Sequence, residues 1–339
     1  MTTLEQVLLR IHHNLQILQE REAKQGSSPD LKLLNEIEDH QKAIELIEQA
    51  LSSELTETGL EELKEVLRPL LVASNVESIN VDELKPELPL LPFEPETILI
   101  PAGPFLMGSE SGEGVSKWET PQHEVTLLDY KIGKYPITNE QYAEFTRQTG
   151  RLVSPEAGWE GQKPADDKLN HPVMGITWYD ALAYCEWLTG QTNGQRQYML
   201  PSEAQWEKAA RSTDGRTFPW GNEWDAGRCN HGSDDIQPVD AYGPQSEFGC
   251  YDMTGNVREW TTTLWGKRMV TPDPEFRYPW VDDHRRDNLL AKNHIFRVYR
   301  GGAYSDNVTQ LRCSARAGLD PRKTGERGKR HGLRVVLKA

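Results

Sequence analysis

The sequence predicts an α+β protein with little regular secondary structure in its main body, preceded by a small α-helical N-terminal domain. Three observations carry this. Apolar residues recur at helical spacing in the first part of the chain; a stretch rich in Pro and acidic residues follows; from Glu96 onward short β-prone runs alternate with many Gly, Pro and Trp.

Leu4, Val7, Leu8, Ile11, Leu15 and Leu18 line one face of a first helix, and after the break at "KQGSSPD" the pattern resumes with Leu31, Leu34, Ile37, Ile44, Ile47 and Leu51. Two helices with one apolar face each predict a hairpin. A third helical stretch, "TGLEELKEVLRPLL", leads into "DELKPELPLLPFEPE", whose prolines and acids suit an extended linker. The expected division is a helical domain at 1–82, a linker at 83–95 and a main domain at 96–339. In the main domain two helices are expected. "ITWYDALAYCEWLTG" gathers Ala181, Ala183, Tyr184, Trp187 and Leu188 on one face, and in "LPSEAQWEKAARS" Ser202 and Gln205 have capping-box spacing. No period of a solenoid or propeller recurs.

The net charge of −14 conceals an asymmetry. Residues 1–90 hold 18 acidic against 8 basic side chains, whereas residues 290–339 hold 12 basic against 3 acidic. A basic tail of this kind attracts nucleic acid, acidic ligands or the acidic head of its own chain, or else forms a solvated surface. "PRKTGERGKRH" has no interleaved aromatic residues on which bases could stack, so a nucleic-acid partner is not expected beyond a weak, non-specific interaction through the basic segment, which stays as an alternative. Neither is a membrane: no apolar run reaches spanning length, and Glu5, Arg10, His12 and His13 interrupt any signal-peptide pattern, which predicts a cytoplasmic protein. Adjacent His12 and His13 cannot share one helix face as metal ligands. The four cysteines, Cys185, Cys229, Cys250 and Cys313, form no CxxC, and the expectation is buried free thiols.

The main domain carries "ILIPAGPFLMGS", "ETPQHEVTL", "YPITNEQYAEF", "HPVMGITWYDALAYCEWL", "LPSEAQWEKAAR", "FPWGNEW", "GCYDMTGNVREW", "RVYRGGAY" and "HGLRVV" in this order. Over residues 96–337 this resembles the formylglycine-generating enzyme (sulfatase-modifying factor) family. The resemblance implies that family's fold, an irregular α+β structure related to C-type lectins. Trp178, Trp187, Trp206, Trp220, Trp224 and Trp260 are then expected as core aromatics, and Arg300, Arg312, Arg316 and Arg334 as residues that hold loops through hydrogen bonds. In the enzymes of the family a cysteine pair past the "GGS" segment binds copper and oxidises a substrate cysteine. "GGAYSDNVTQLRC" has no cysteine before Cys313, Ala303 stands for the serine, and Arg258 stands where an aromatic is usual. One thiol cannot replace a two-thiolate site, so neither copper nor this catalysis is expected. The HxxxHxE-type ligand set of the related iron-dependent sulfoxide synthases is also missing. The resemblance further implies a structural calcium site in "DMTGNVRE", formed by Asp252, Gly255, Val257 and Glu259.

The C-terminal frame of RGG, spaced Arg, Pro and Gly-x-Arg residues is similar to variable proteins of diversity-generating retroelements, which present a rewritten binding face on a fixed lectin-like scaffold. That similarity implies a ligand-binding segment near 296–334 made of Phe296, Tyr304, Ser305, Asp306, Asn307, Thr309, Gln310, Ala317, Gly318, Leu319, Lys323, Thr324, Glu326, Arg327, Lys329, Arg330 and His331. Its ligand would be a protein or other macromolecule. The N-terminal helices resemble small helical segments that precede effector and signalling modules in bacterial proteins, which implies a signalling or conflict-system partner for them. A formylglycine-type oxidase with unfamiliar metal ligands is the rival reading.

Overall fold

The computed structural model describes residues 3–25, 29–51, 57–73, 90–283, 285–324 and 328–338. Two compact units divide the chain, Met1–Leu91 and Pro92–Ala339.

The first unit is three helices, α1 (Thr3–Gln25), α2 (Leu31–Leu51) and α3 (Glu57–Ala73). They close around Val7 and Ile11 of α1, Ala43, Leu46, Ile47 and Ala50 of α2, and Leu60, Leu63 and Leu67 of α3. In α2 the buried stripe begins at Leu33 and Ile37; Leu31 and Leu34 face outward, one step off the expected phase. The helix starts at Leu31 itself, so its first turn is rotated relative to a pattern read from Leu31. The third helix runs through Pro69.

The second unit begins earlier than the sequence suggests. The Glu94 carboxylate takes Arg196 Nε and Nη2, each at 2.7 Å, and the Tyr198 hydroxyl at 2.7 Å, while Phe93 packs on Trp187. Residues 92–95 therefore belong to the folded body; of the expected linker, 83–89 lie outside the described residues.

Its strands are short. β1 (Thr97–Ile100), β4 (Tyr130–Gly133), β5 (Tyr198–Met199) and β10 (Val336–Lys338) form an antiparallel sheet in the order β1-β4-β10-β5. β2 (Gly103–Met107) and β3 (His123–Leu127) pair alone. β6 (Arg258–Gly266), β7 (Phe296–Arg300), β8 (Ala317–Leu319) and β9 (His331–Gly332) form a third sheet in the order β8-β7-β6-β9, with β9 parallel to β6. Helices α5 (Trp178–Gln191) and α6 (Glu203–Arg211) stand where expected, each opened by a capping box. A further helix beyond the two expected, α4 (Asn139–Thr149), is capped reciprocally by Thr138 and Gln141 and buries Tyr142, Phe145 and Thr146.

Trp178, Trp206 and Trp260 are buried, as expected of core aromatics, and Trp265 joins them. Trp187, Trp220 and Trp224 are only half-buried: Trp187 packs on Phe93, Phe145 and Tyr184, and Trp220 and Trp224 on Phe218 and each other. The four buried indoles each find an acceptor: Trp178 Nε1 donates to Thr261 O at 2.9 Å, Trp260 Nε1 to Ile176 O at 3.1 Å, Trp206 Nε1 to Glu259 at 2.6 Å and Trp265 Nε1 to Arg268 O at 2.9 Å.

Candidate ligand-binding site

The site is built on α6 and the segment after β7. Glu203 and Glu207, four apart, share one face of α6, and both are fully buried. Buried carboxylates persist when cations and donors match them, and the C-terminal segment supplies these. Arg300 Nη1 donates to Glu203 at 2.8 Å and its Nη2 to Glu207; Arg316 grips Glu203 through Nε and Nη2 at 2.5 and 2.7 Å; Arg211 Nη1 reaches Glu207 at 2.6 Å. Beside them Arg312 is bidentate on Glu119, at 2.7 and 3.0 Å, and Ser314 donates to the same carboxylate. Arg334 and Trp206 converge on Glu259. The basic tail thus answers to carboxylates of its own domain. Its Lys292, Lys323 and Lys338 are exposed, and the four loop-holding arginines have the bonds expected of them.

Past Arg300 the chain turns on Gly301 and Gly302, both at positive φ; a Cβ on Gly301 would press on the Trp206 ring at 3.2 Å. Ala303 N–H donates to Asp306 at 2.9 Å, and Arg258 forms a bidentate pair with the same carboxylate. The departure at Arg258 is therefore coupled to Asp306: an ion pair, almost covered, ties the loop to β6, with the guanidinium 5.3 Å from the Tyr299 ring centre. From this latch the loop runs outward. Ser305, Asn307, Thr309 and Gln310 are exposed, and with Lys323 they are the exposed members of the expected face. Phe296, Ala317, Thr324, Lys329 and Arg330 are half-buried. Between this loop and the 114–119 turn lies a cleft of about 220 Å³, lined by Tyr299, Arg300, Arg312 and Arg316 and edged by Thr309 and Gln310.

Five expected contacts are corrected. Tyr304 packs against Ile236 and Val257 and is no exposed anchor. Asp306 spends its carboxylate on the latch. Gly318 and Leu319 form the middle and end of β8; Leu319 joins the core around Trp178, and a Cβ on Gly318 would run into the Trp265 ring. His331 is fully buried between Trp260 and Tyr299, at 4.8 and 4.6 Å between ring centres. Gly318 and Leu319 are covered through the pairing of β8 with β7, and His331 through that of β9 with β6. Glu326 and Arg327 lie outside the described residues.

Burial, and then the Arg258 charge, hold the His331 imidazole well below its ordinary value of 6.5. The unfolded chain takes up a proton near that value and the folded chain does not. Stability from this group is therefore complete above the unfolded value and is lost as pH falls below it, at up to about 1.4 kcal/mol per pH unit. A His331→Phe variant is expected to lose less stability than the wild type between about pH 7 and pH 5 in urea titrations; parallel losses would show that other groups set the acid limit.

All four cysteines are buried and free. Burial raises every thiol, Cys229 and Cys313 to about 12, so none is an activated thiolate. Among the described residues no three His, Cys, Asp or Glu side chains are grouped as metal ligands. The loop expected to hold calcium has its charges satisfied internally. Both Glu259 oxygens accept from Arg334, one of them also from Trp206, while Asp252 accepts from Asn256 at 2.7 Å. Burial raises the Asp252 carboxyl to about 8. Asp252, Gly255 and Val257 lie together in the tight turn, but Glu259 does not fit as a calcium ligand, since a cation there would compete with a buried guanidinium for the same oxygens.

Comparison with known proteins agrees with this geometry. The chain is 30% identical over 329 residues to the serine/threonine-protein kinase pkn1 of Chlamydia caviae, covering 86% of this chain and 47% of that protein. It thus spans about half the length of the chlamydial relatives it matches. It is also 30% identical over 285 residues to the inactive C-alpha-formylglycine-generating enzyme 2 of Bos taurus, covering 66% of this chain and 89% of that one. Among solved structures, PvdO from Pseudomonas aeruginosa superposes with a TM-score of 0.58 at 24% identity, over 74% of this chain and 96% of that one. Treponema denticola variable protein 1 does so with a TM-score of 0.53 at 20% identity, over 72% and 95%. These structures share the C-type lectin-related fold. Residues 87–339 match the sulfatase-modifying factor enzyme 1-like domain, and the chain belongs to that family.

Proposed function

We propose that the chain is a non-catalytic ligand-binding protein whose recognition face is the exposed part of the segment between Phe296 and Arg334, diversified by a retroelement and coupled through the N-terminal helices to a signalling partner. One observation carries the reading. Where the family's oxidases need two thiolates, this chain closes the loop with the buried Arg258–Asp306 pair, and the positions that remain outside it, Ser305, Asn307, Thr309 and Gln310, carry polar side chains free of the core. Buried frame residues alternate with exposed ones, so the exposed set can change without disturbing the arginine network. Similarity to a relative named as inactive supports the same reading. Nucleic-acid binding is disfavoured because the basic tail's arginines are largely consumed by internal carboxylates.

The test is to sequence the DNA flanking the gene. A near-copy of the Phe296–Arg334 coding segment is expected, mismatched at adenines in the codons of Ser305, Asn307, Thr309 and Gln310 and matched at those of Gly318, Leu319 and His331. Mismatches spread over the scaffold codons, or no copy at all, would remove the diversification. Stoichiometric tight copper binding with turnover of a cysteine peptide would overturn the binding-protein reading and restore the oxidase.

A further inference from the structure

The charge layer beneath the cleft is unbalanced. Five buried guanidiniums, those of Arg211, Arg286, Arg300, Arg312 and Arg316, share it with three carboxylates, Glu119, Glu203 and Glu207. Arg286 lies close enough to Glu203 and Arg316 to feel both charges, yet its Nη2 donates only to the Arg277 and Pro279 carbonyls. Asp287, the other buried acid nearby, is held by the hydroxyls of Thr262 and Thr263 at 2.6 Å each.

The hydrogen-bond inventory points the same way. Arg300 Nε, Arg286 Nε and Nη1, and Trp280 Nε1 are buried and donate to nothing among the described residues. All four are donors; what this layer lacks is an acceptor. Buried donors and unpaired cations are costly and normally find partners. Arg300 and Arg316 lie in the wall of the cleft with their side chains covered, and Arg312 reaches its surface; the cleft's volume of about 220 Å³ admits a carboxylate or phosphate group with a few atoms of its carrier, and its mouth is set by Thr309 and Gln310.

We propose that this cleft is an oxyanion site: it takes the carboxylate or phosphate group of the ligand that the exposed loop recognises, with Arg312 at its surface and the charges of Arg300 and Arg316 behind its wall. The inference deepens the binding-face reading and rests on it. It also explains why a chain of net charge −14 concentrates buried arginine under one small cleft.

The experiment measures thermal unfolding of the full chain in inorganic phosphate, in succinate and in chloride at matched ionic strength. A binder of the folded state raises Tm in a saturable way. A saturable rise of several degrees is expected in phosphate or succinate over chloride, the larger rise naming the source of the oxyanion. Thr309→Trp, which blocks the mouth from an exposed position, should abolish the rise while unfolding within about 2 °C of the wild type in chloride. Gln310→Trp serves the same purpose if that variant does not fold. No rise in either anion, or an equal rise in a folded blocked variant, would overturn the site. The binding-face reading fails separately: it is lost if display selections on the full chain recover no ligand sensitive to Asn307→Ala. It survives without the oxyanion site if such ligands are recovered and neither phosphate nor succinate competes with them.

Discussion

Glu203→Gln should destabilise the C-terminal unit by about 3–5 kcal/mol or more, enough to leave little of it folded, because it removes the charge that two buried guanidiniums share. Arg300 and Arg316 both bond this carboxylate, and all three side chains are completely shielded from solvent. A neutral amide offers one acceptor and a donor pair where two cations need acceptors, so the arginines would remain buried with only Glu207 and carbonyls for company. The control is Glu96→Gln. Its pair with Lys134 is exposed on the carboxylate side and should contribute roughly 0–1 kcal/mol. Urea unfolding followed by tryptophan fluorescence reads both. If the two variants unfold alike, the arginine network is not what holds the segment after β7 in place.

The second large effect is at the latch. Asp306→Ala should cost roughly 3 kcal/mol, since it leaves Arg258 nearly buried without its counter-charge and the Ala303 N–H without its acceptor. Arg258→Met should cost less, because Asp306 keeps the Ala303 N–H and the Met side chain can still pack on Tyr299. In the double variant the loss should fall short of the sum by about 1–3 kcal/mol, the coupling expected of groups in one buried pair. Additive losses would mean that Arg258 and Asp306 do not act as one unit.

Buried pairs of this kind explain what could and could not be read beforehand. That the segment after the RGG motif holds one cysteine, Cys313, is legible in the letters without coordinates. Likewise the helical hairpin and the capping box at Ser202 and Gln205 are local, and local spacing predicts them. Helix α4 carries the same local signal, a capping box at Thr138 and Gln141, and is equally legible from it. The five corrected contact residues share a different cause. Tyr304, Asp306, Gly318, Leu319 and His331 lie in a segment where strands are two to five residues long, too short for alternation to reveal which side faces the core.

By itself, the sequence determined the family-type scaffold, the division into a helical head and a strand-poor body, the loss of the thiolate pair and the positions of the frame arginines, because each is written in residue identity or short-range spacing. Only the tertiary structure decided which carboxylate each arginine meets, that Arg258 and Asp306 form one unit, and which residues of the last segment reach solvent. The partners of Arg300 lie 97 and 93 residues away, and Arg312 meets Glu119 across 193. Charge pairing over such separations is set by how the sheets and α6 pack, and no local pattern in the chain encodes it.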